Sequence, residues 1–215
     1  MKSQIASVAV LAGAVLLAGC SKEGDLVVQQ GVGIQALRSV CPAVGVPDYT
    51  GDVTLFRGES RTADAIDVTA AITNVRSTCN DTGDQVYSSA TFDVLASRMD
   101  TTSARTVEIP YYSTVMRGGS SVVAKRIGTV TVNFAAGEAR AQGSGTAAAY
   151  VDRAAATIPA DIRERITRRR RAGDQSAAID PLTEPDVRAA IARASFELLI
   201  GFQLTDEQLQ YNATR

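Results

Sequence analysis

The chain has 215 residues, and its 22 lysines and arginines nearly balance 23 aspartates and glutamates. This balance leaves no bulk positive charge to drive nucleic-acid binding, so we expect no nucleic-acid partner. Histidine is absent, which removes the usual general base near neutral pH, the commonest metal ligand and the Ser-His-Asp triad. We therefore expect no metal site, no cofactor and no enzyme activity.

Residues 1–19 predict a secretory signal peptide. Lys2 supplies positive charge, an apolar run extends from Ile5 to Leu17, and the small residues Ala18 and Gly19 follow. This order is typical of an export signal. The apolar run is also shorter than the roughly 20 residues that a membrane-spanning helix needs.

The tetrad Leu17-Ala18-Gly19-Cys20 resembles the lipobox of bacterial lipoproteins at all four positions. The resemblance implies cleavage before Cys20, with lipid attached to its sulfur and to the new amino terminus. Several acyl chains make a stable membrane anchor where one chain is marginal. Ser21, in place of an aspartate, implies sorting to the outer membrane, facing the periplasm or the cell surface. The alternative is an ordinary signal peptide followed by a chance cysteine.

Residues 20–36 are polar and contain several glycines, which predicts a tether between the membrane and the folded domain. With Cys20 assigned to lipid, Cys41 and Cys79 remain as an even pair in an oxidising compartment, which predicts a disulfide. On the chain-entropy model, closing a loop of this length stabilises the fold by about 4 kcal/mol. Two buried thiols are the alternative, and a zinc site is disfavoured without histidine.

Residues 37–157 predict an antiparallel β-sandwich, because apolar and polar residues alternate from Val40 to Phe134. The alternating segments begin near Asp52, Ile66, Val86, Val107, Val122 and Val130. Several short strands with this spacing are typical of immunoglobulin- or fibronectin-like sandwiches, a likeness of architecture only. Residues 142–156 are rich in alanine and glycine and fit either a last strand or a helix.

A helix is predicted over residues 159–171, because Ile162 and Ile166 share a face. Two pairs have the i, i+4 spacing of stabilising ion pairs: Asp161–Arg165 and Glu164–Arg168. The densest basic cluster of the chain lies on this helix: Arg163, Arg165, Arg168, Arg169, Arg170 and Arg171. These arginines suit contact with phosphates of anionic lipid or with an acidic partner. The alternative is a solvated helix end, where positive charge complements the helix dipole.

The rest of residues 158–215 predicts one or two further helices packed on the sandwich. An apolar stripe with helical spacing is predicted to end at Gly201; its members are Val187, Ala190, Ile191, Ala194 and Leu198. Thr205 and Gln208 form a capping box that predicts a short final helix. The fold class is thus mainly β, a sandwich followed by two or three helices.

No motif indicates a reaction, and the neighbouring carboxylates Asp64/Asp67 and Glu184/Asp186 fit solvated surface better than a glycosidase pair. The expected function is a lipid-anchored cell-envelope protein with a non-catalytic structural or protein-interaction role. Its partners are the membrane, through lipid on Cys20, and an envelope protein that binds a sheet edge or the apolar C-terminal helix. The alternative is a periplasmic carrier of an apolar ligand. A cavity of several hundred Å³ would favour the carrier, and a filled core with an exposed apolar patch would favour the interaction role.

Overall fold

The computed structural model describes residues 39–168 and 179–214. The strands are β1 (Ala43–Gly45), β2 (Asp52–Phe56), β3 (Ile66–Asn80), β4 (Gln85–Arg98), β5 (Arg105–Arg117), β6 (Ser121–Phe134), β7 (Arg140–Asp152) and β8 (Phe196–Phe202). The helices are α1 (Arg153–Ala156), α2 (Ala160–Thr167), α3 (Pro185–Ala194) and α4 (Asp206–Thr214). Short 3-10 turns lie at Ala63–Ala65 and Pro181–Thr183.

The strands form two four-stranded sheets, ordered β1-β8-β5-β6 and β2-β3-β4-β7. The buried side chains of β4 follow the predicted period of two: Val86, Ser88, Ala90, Phe92, Val94 and Ala96. They belong to one core together with inward-facing residues of the other sheet, including Ile109, Val130 and Val132. Each large apolar side chain removed from water in this way contributes about 1.5–3 kcal/mol. The predicted sandwich with a helical appendage is confirmed.

Most neighbouring strands pair antiparallel, and short turns join two of these pairs, β3 to β4 and β5 to β6. The exception is β1, which lies parallel to β8 at the edge of its sheet. Residues 142–156, which fit either a strand or a helix from the sequence, form most of β7 and then one helical turn. Asp152 ends the strand and caps α1, because its Oδ1 accepts a hydrogen bond from the Ala155 N–H at 2.8 Å.

The predicted helix through Leu198 to Gly201 is wrong, because Phe196–Phe202 is a strand. This strand, β8, lies between β1 and β5 within its sheet. Leu198 fits a helical stripe from Ala194 and also an alternating strand pattern, and its side chain is buried in the sandwich core. The sandwich therefore extends beyond the predicted boundary at position 157, because Phe196–Phe202 forms one of its strands.

The other C-terminal elements are close to their predicted positions. Helix α2 ends at Thr167, earlier than expected, because Arg168 has a non-helical ψ of 124°. The capping box of α4 is confirmed: the Thr205 N–H donates to Gln208 Oε1 at 2.9 Å, and the Gln208 N–H donates to Thr205 Oγ1 at 3.2 Å. Helix α4 also contacts the sandwich, since the Asn212 amide donates to two backbone carbonyls near β2.

The predicted disulfide is confirmed. Cys41 and Cys79 are bonded, with their Cα atoms 6.1 Å apart. The bond joins the segment before β1, in one sheet, to the end of β3 in the other. The two sheets are therefore linked covalently at this end of the sandwich.

Candidate ligand pocket and exposed sheet edge

A pocket of about 540 Å³ lies beside the disulfide, where the sandwich meets α1, α2 and α3. Its apolar wall includes Val40, Ile158, Ile166, Leu182, Ile191 and Phe196. This volume falls within the range of about 300–1,000 Å³ that is usual for small-molecule sites. The pocket borders the sandwich core, because Ala156 and Phe196 belong to that core and also line the pocket.

The helical wall of the pocket has a small apolar core of its own. Ile162 and Ile166 of α2 pack against Val187 and Ala190 of α3, and all four side chains are buried. The predicted shared face of Ile162 and Ile166 is therefore the face that joins α2 to α3. Because short helices are marginal in water, this packing is what keeps the two helices in place.

Ion pairs also join α2 to the start of α3. Arg165 contacts both Glu184 and Asp186, and its Nη1 lies 2.5 Å from Asp186 Oδ2. The hydrogen bond from Arg165 lowers the pKa of Asp186, and the same bond raises the pKa of Arg165. Asp186 is exposed and Arg165 and Glu184 are partly exposed, so we expect these ion pairs to position the helices and to contribute little to stability.

Arg153, at the start of α1, is held by the turn between β3 and β4. Its backbone N–H donates to the Asp84 carbonyl at 2.9 Å, and its Nε donates to the Gly83 carbonyl at 2.5 Å. Among the described residues, no hydrogen bond or ion pair engages its terminal Nη groups. The guanidinium is thus fixed at one edge and keeps free donors.

The charge of the pocket wall is positive. Arg153 and Arg163 are its charged residues, and no carboxylate of the described residues lines it. The hydroxyls of Thr157, Thr167 and Ser195 donate to backbone carbonyls of their own helices. The polar part of the wall therefore combines cationic donors with hydroxyl oxygens that are already hydrogen-bonded.

The structure divides the predicted arginine cluster into separate environments. Arg163 lines the pocket, Arg165 pairs with the acids of α3, and Arg168 pairs with Glu164 at 3.2 Å as its i, i+4 spacing predicts. Arg169, Arg170 and Arg171 lie outside the described residues, as does the predicted lipidation site Cys20.

Three of the four carboxylates noted in the sequence are partners of arginines, whereas the carboxylate of Asp64 is hydrogen-bonded to Thr62. Glu184 and Asp186 both contact Arg165, and Asp67 forms a two-point ion pair with Arg105 at 2.8 and 2.7 Å. Among the described residues, no group of three or more histidine, cysteine, aspartate or glutamate side chains is placed to hold a metal ion.

Sequence reasoning missed Arg153 and Phe196 as pocket residues. Arg153 lies within residues 142–156, which fit either a strand or a helix, and its position depends on where β7 ends. Phe196 was assigned to a helix, whereas it begins β8. The available signal was the alternation of large apolar residues from Phe196 to Phe202, which matches a strand as well as a helix end.

A second candidate surface is the first half of β6, residues 121–127, which we call the β6 edge. Among the strands of the described residues, β5 is the one that pairs with this segment. The backbone N–H and C=O groups on the other side of the segment therefore have no strand partner within the described residues. All seven residues are exposed, and three of them are large and apolar: Val122, Val123 and Ile127. Val123 is the extra residue of a bulge opposite Val115 and Met116.

Comparison of the chain with known protein families, with curated proteins and with solved structures gives no match. None of the helices in the described ranges has the length and apolar character needed to cross a membrane. The features of the molecule that indicate a function are therefore the pocket, the β6 edge and the sequence motifs.

Proposed function

We propose that the protein is a lipid-anchored envelope protein of the outer membrane that binds another envelope protein without catalysis. The lipobox at Leu17-Ala18-Gly19-Cys20 supports the anchor and its orientation toward the periplasm. The disulfide-linked sandwich supports a binding role, because a preorganised sheet presents its edge to a partner at low cost in conformational entropy.

The β6 edge is the observation that carries this proposal. An exposed strand edge offers a row of backbone donors and acceptors to which an extended peptide adds as a further strand. Large apolar side chains on the same segment add contact area, and Lys125 and Arg126 add positive charge. The partner that fits is an extended segment with apolar and acidic residues. The bulge and the basic residues of the β6 edge also disfavour nonspecific pairing with strands of other proteins. The edge is therefore expected to accept a matching partner segment only.

The interaction is tested by crosslinking in intact cells, with variants of the β6 edge. Val122→Lys combined with Ile127→Lys should abolish a crosslinked partner band. Leu95→Lys is the matched control, because Leu95 is 51% exposed but lies on the central strand β4. Equal capture by both variants would place the interaction elsewhere and overturn this part of the proposal.

The anchor is tested separately. Mass spectrometry of the mature protein should find diacylglyceryl-cysteine at Cys20, and Cys20→Ala should remove the protein from the outer-membrane fraction. An unmodified amino terminus at another residue would contradict the anchor and the localisation together.

A second candidate function is that of a periplasmic carrier for an apolar ligand. The pocket of about 540 Å³ between the sandwich and the helices favours it. The two functions use different surfaces, because no residue of the β6 edge lines the pocket. They can therefore be tested independently.

A further inference from the structure

We propose that the pocket binds a single-chain amphiphile with an anionic head group, supplied by the membrane. The apolar chain contacts the wall formed by Ile158, Ile166 and Ile191, and the head group lies at Arg153 and Arg163. This inference rests on the carrier function and adds the chemical class of its ligand.

The apolar wall is the first argument. Ile158, Leu182 and Ile191 are partly buried against the small core between α2 and α3, so part of each side chain faces the pocket. Val40 and Phe196 complete the wall on the sandwich side. An acyl chain placed there removes apolar surface of both partners from water, which is favourable at about 25 cal/mol per Å².

The distribution of charge on α2 is the second argument. Arg165 and Arg168 of this segment are paired with acidic side chains. The side chain of Arg163 lines the pocket and forms no hydrogen bond or ion pair with any described residue. With Arg153 it makes a wall that is positive and free of carboxylates. Guanidinium groups bind carboxylate and phosphate oxygens through charge-assisted hydrogen bonds.

The third argument is the place where the polypeptide enters the folded domain. Ser39, Val40 and Cys41 line the pocket, so the chain enters the described domain at the pocket wall. The proposed anchor at Cys20 precedes Ser39 by about 20 positions, and a fully extended chain of that length spans at most about 70 Å. The anchor thus limits the distance between the pocket and the membrane, which is a source of single-chain amphiphiles.

Binding is measured with the chain from position 20 to 215, made without the apolar run of residues 1–19 and carrying Cys20→Ala, so that it is neither acylated nor attached to an export signal. Titration calorimetry below the critical micelle concentration uses three probes with one acyl chain: palmitate, lysophosphatidate and a neutral monoacylglycerol. Both anionic probes should bind more tightly than the neutral probe. The tighter of the two identifies the head group as carboxylate or phosphate.

Two variants and a control test the residues. Arg163→Gln should weaken the anionic probes by about tenfold or more and leave the neutral probe unchanged. Arg168→Gln is the matched control on the same segment, because Arg168 does not line the pocket. Ala194→Phe adds a ring at the pocket wall and should abolish binding of all three probes. Unchanged melting temperatures verify that each variant is folded.

The outcomes separate this inference from the functions on which it depends. Equal binding of anionic and neutral probes, insensitive to Arg163→Gln, would overturn the head-group inference and retain the carrier. Binding that appears only after deletion of residues 21–36 would identify the tether as the occupant and overturn the inference. Absence of binding by every probe would overturn the carrier as well. None of these results changes the crosslinking expected at the β6 edge.

Discussion

Arg98 is a buried charge that joins two turns at one end of the sandwich. Arg98 is only 4% exposed to solvent. Its Nε donates to the Glu138 carbonyl at 2.9 Å, Nη1 to Ser103 at 2.7 Å and Nη2 to Ala135 at 2.7 Å. The guanidinium also lies 5.0 Å from the ring centroid of Phe134. We therefore predict that this side chain makes a large contribution to stability.

The magnitude follows from the acceptors that Arg98→Ala leaves behind. A buried carbonyl without a donor costs about 1–3 kcal/mol. Ser103, Ala135 and Glu138 lie in exposed turns, so water partly replaces the lost donors and the lower limit applies to each. The sum is a loss of about 3 kcal/mol in the free energy of unfolding. For a domain of this size, the melting temperature should fall by about 6–12 °C.

Urea denaturation of the purified protein, followed by circular dichroism, measures this loss directly. Arg98→Lys should recover only part of the stability, because one ammonium group cannot reproduce the planar set of guanidinium donors. Arg140→Ala is the control, since Arg140 is an exposed arginine near the same end of the sheet with no side-chain hydrogen bond described. A loss below about 1 kcal/mol for Arg98→Ala would refute the reasoning from unsatisfied carbonyls.

Three further predictions concern the sandwich. Reduction of the disulfide, which spans 38 positions, should lower the free energy of unfolding by about 4 kcal/mol in urea denaturation; unchanged unfolding would contradict this. The hydrogen bond from Arg105 lowers the pKa of Asp67 from its ordinary value of 3.8. The ion pair therefore stabilises the folded state fully above pH 3.8, and this stabilisation is lost as the pH falls through the lowered pKa. Asp67→Asn should make the folded state less sensitive to pH in acid unfolding followed by circular dichroism. An unchanged pH dependence would exclude the Asp67–Arg105 ion pair as a cause of acid unfolding. Gly145→Ala places a Cβ against the Phe92 ring and should cost about 1–3 kcal/mol in thermal unfolding, whereas a neutral effect would mean that the ring moves freely.

Local patterns predicted much of the architecture. Alternation of apolar residues along β4 identifies a strand because a pleated strand exposes its faces with a period of two. The capping box at Thr205 and Gln208 acts within three residues, and it forms as expected. The pairing of Cys41 with Cys79 followed from counting the cysteines that remain once Cys20 is assigned to lipid.

The segment Phe196–Phe202 shows where local patterns fail. Its residues fit the end of a helical stripe and also an alternating strand, and the sequence contains no signal that chooses between them. Pairing with β5, from Tyr111↔Phe202 to Arg117↔Phe196, decides the choice. Such pairing joins residues far apart in the chain, so it depends on the assembled sheet rather than on local propensity.

The pocket also shows the difference between what local sequence patterns predict and what tertiary contacts decide. The sequence by itself determined that arginines are dense between positions 163 and 171, that histidine is absent and that Cys41 and Cys79 are the two cysteines beyond position 20. Only the tertiary structure decided that Arg165 pairs with Glu184 and Asp186 while Arg163 lines a pocket. The reason is physical: short-range patterns set strands, turns and caps, whereas a pocket exists only where packed elements bring distant side chains together.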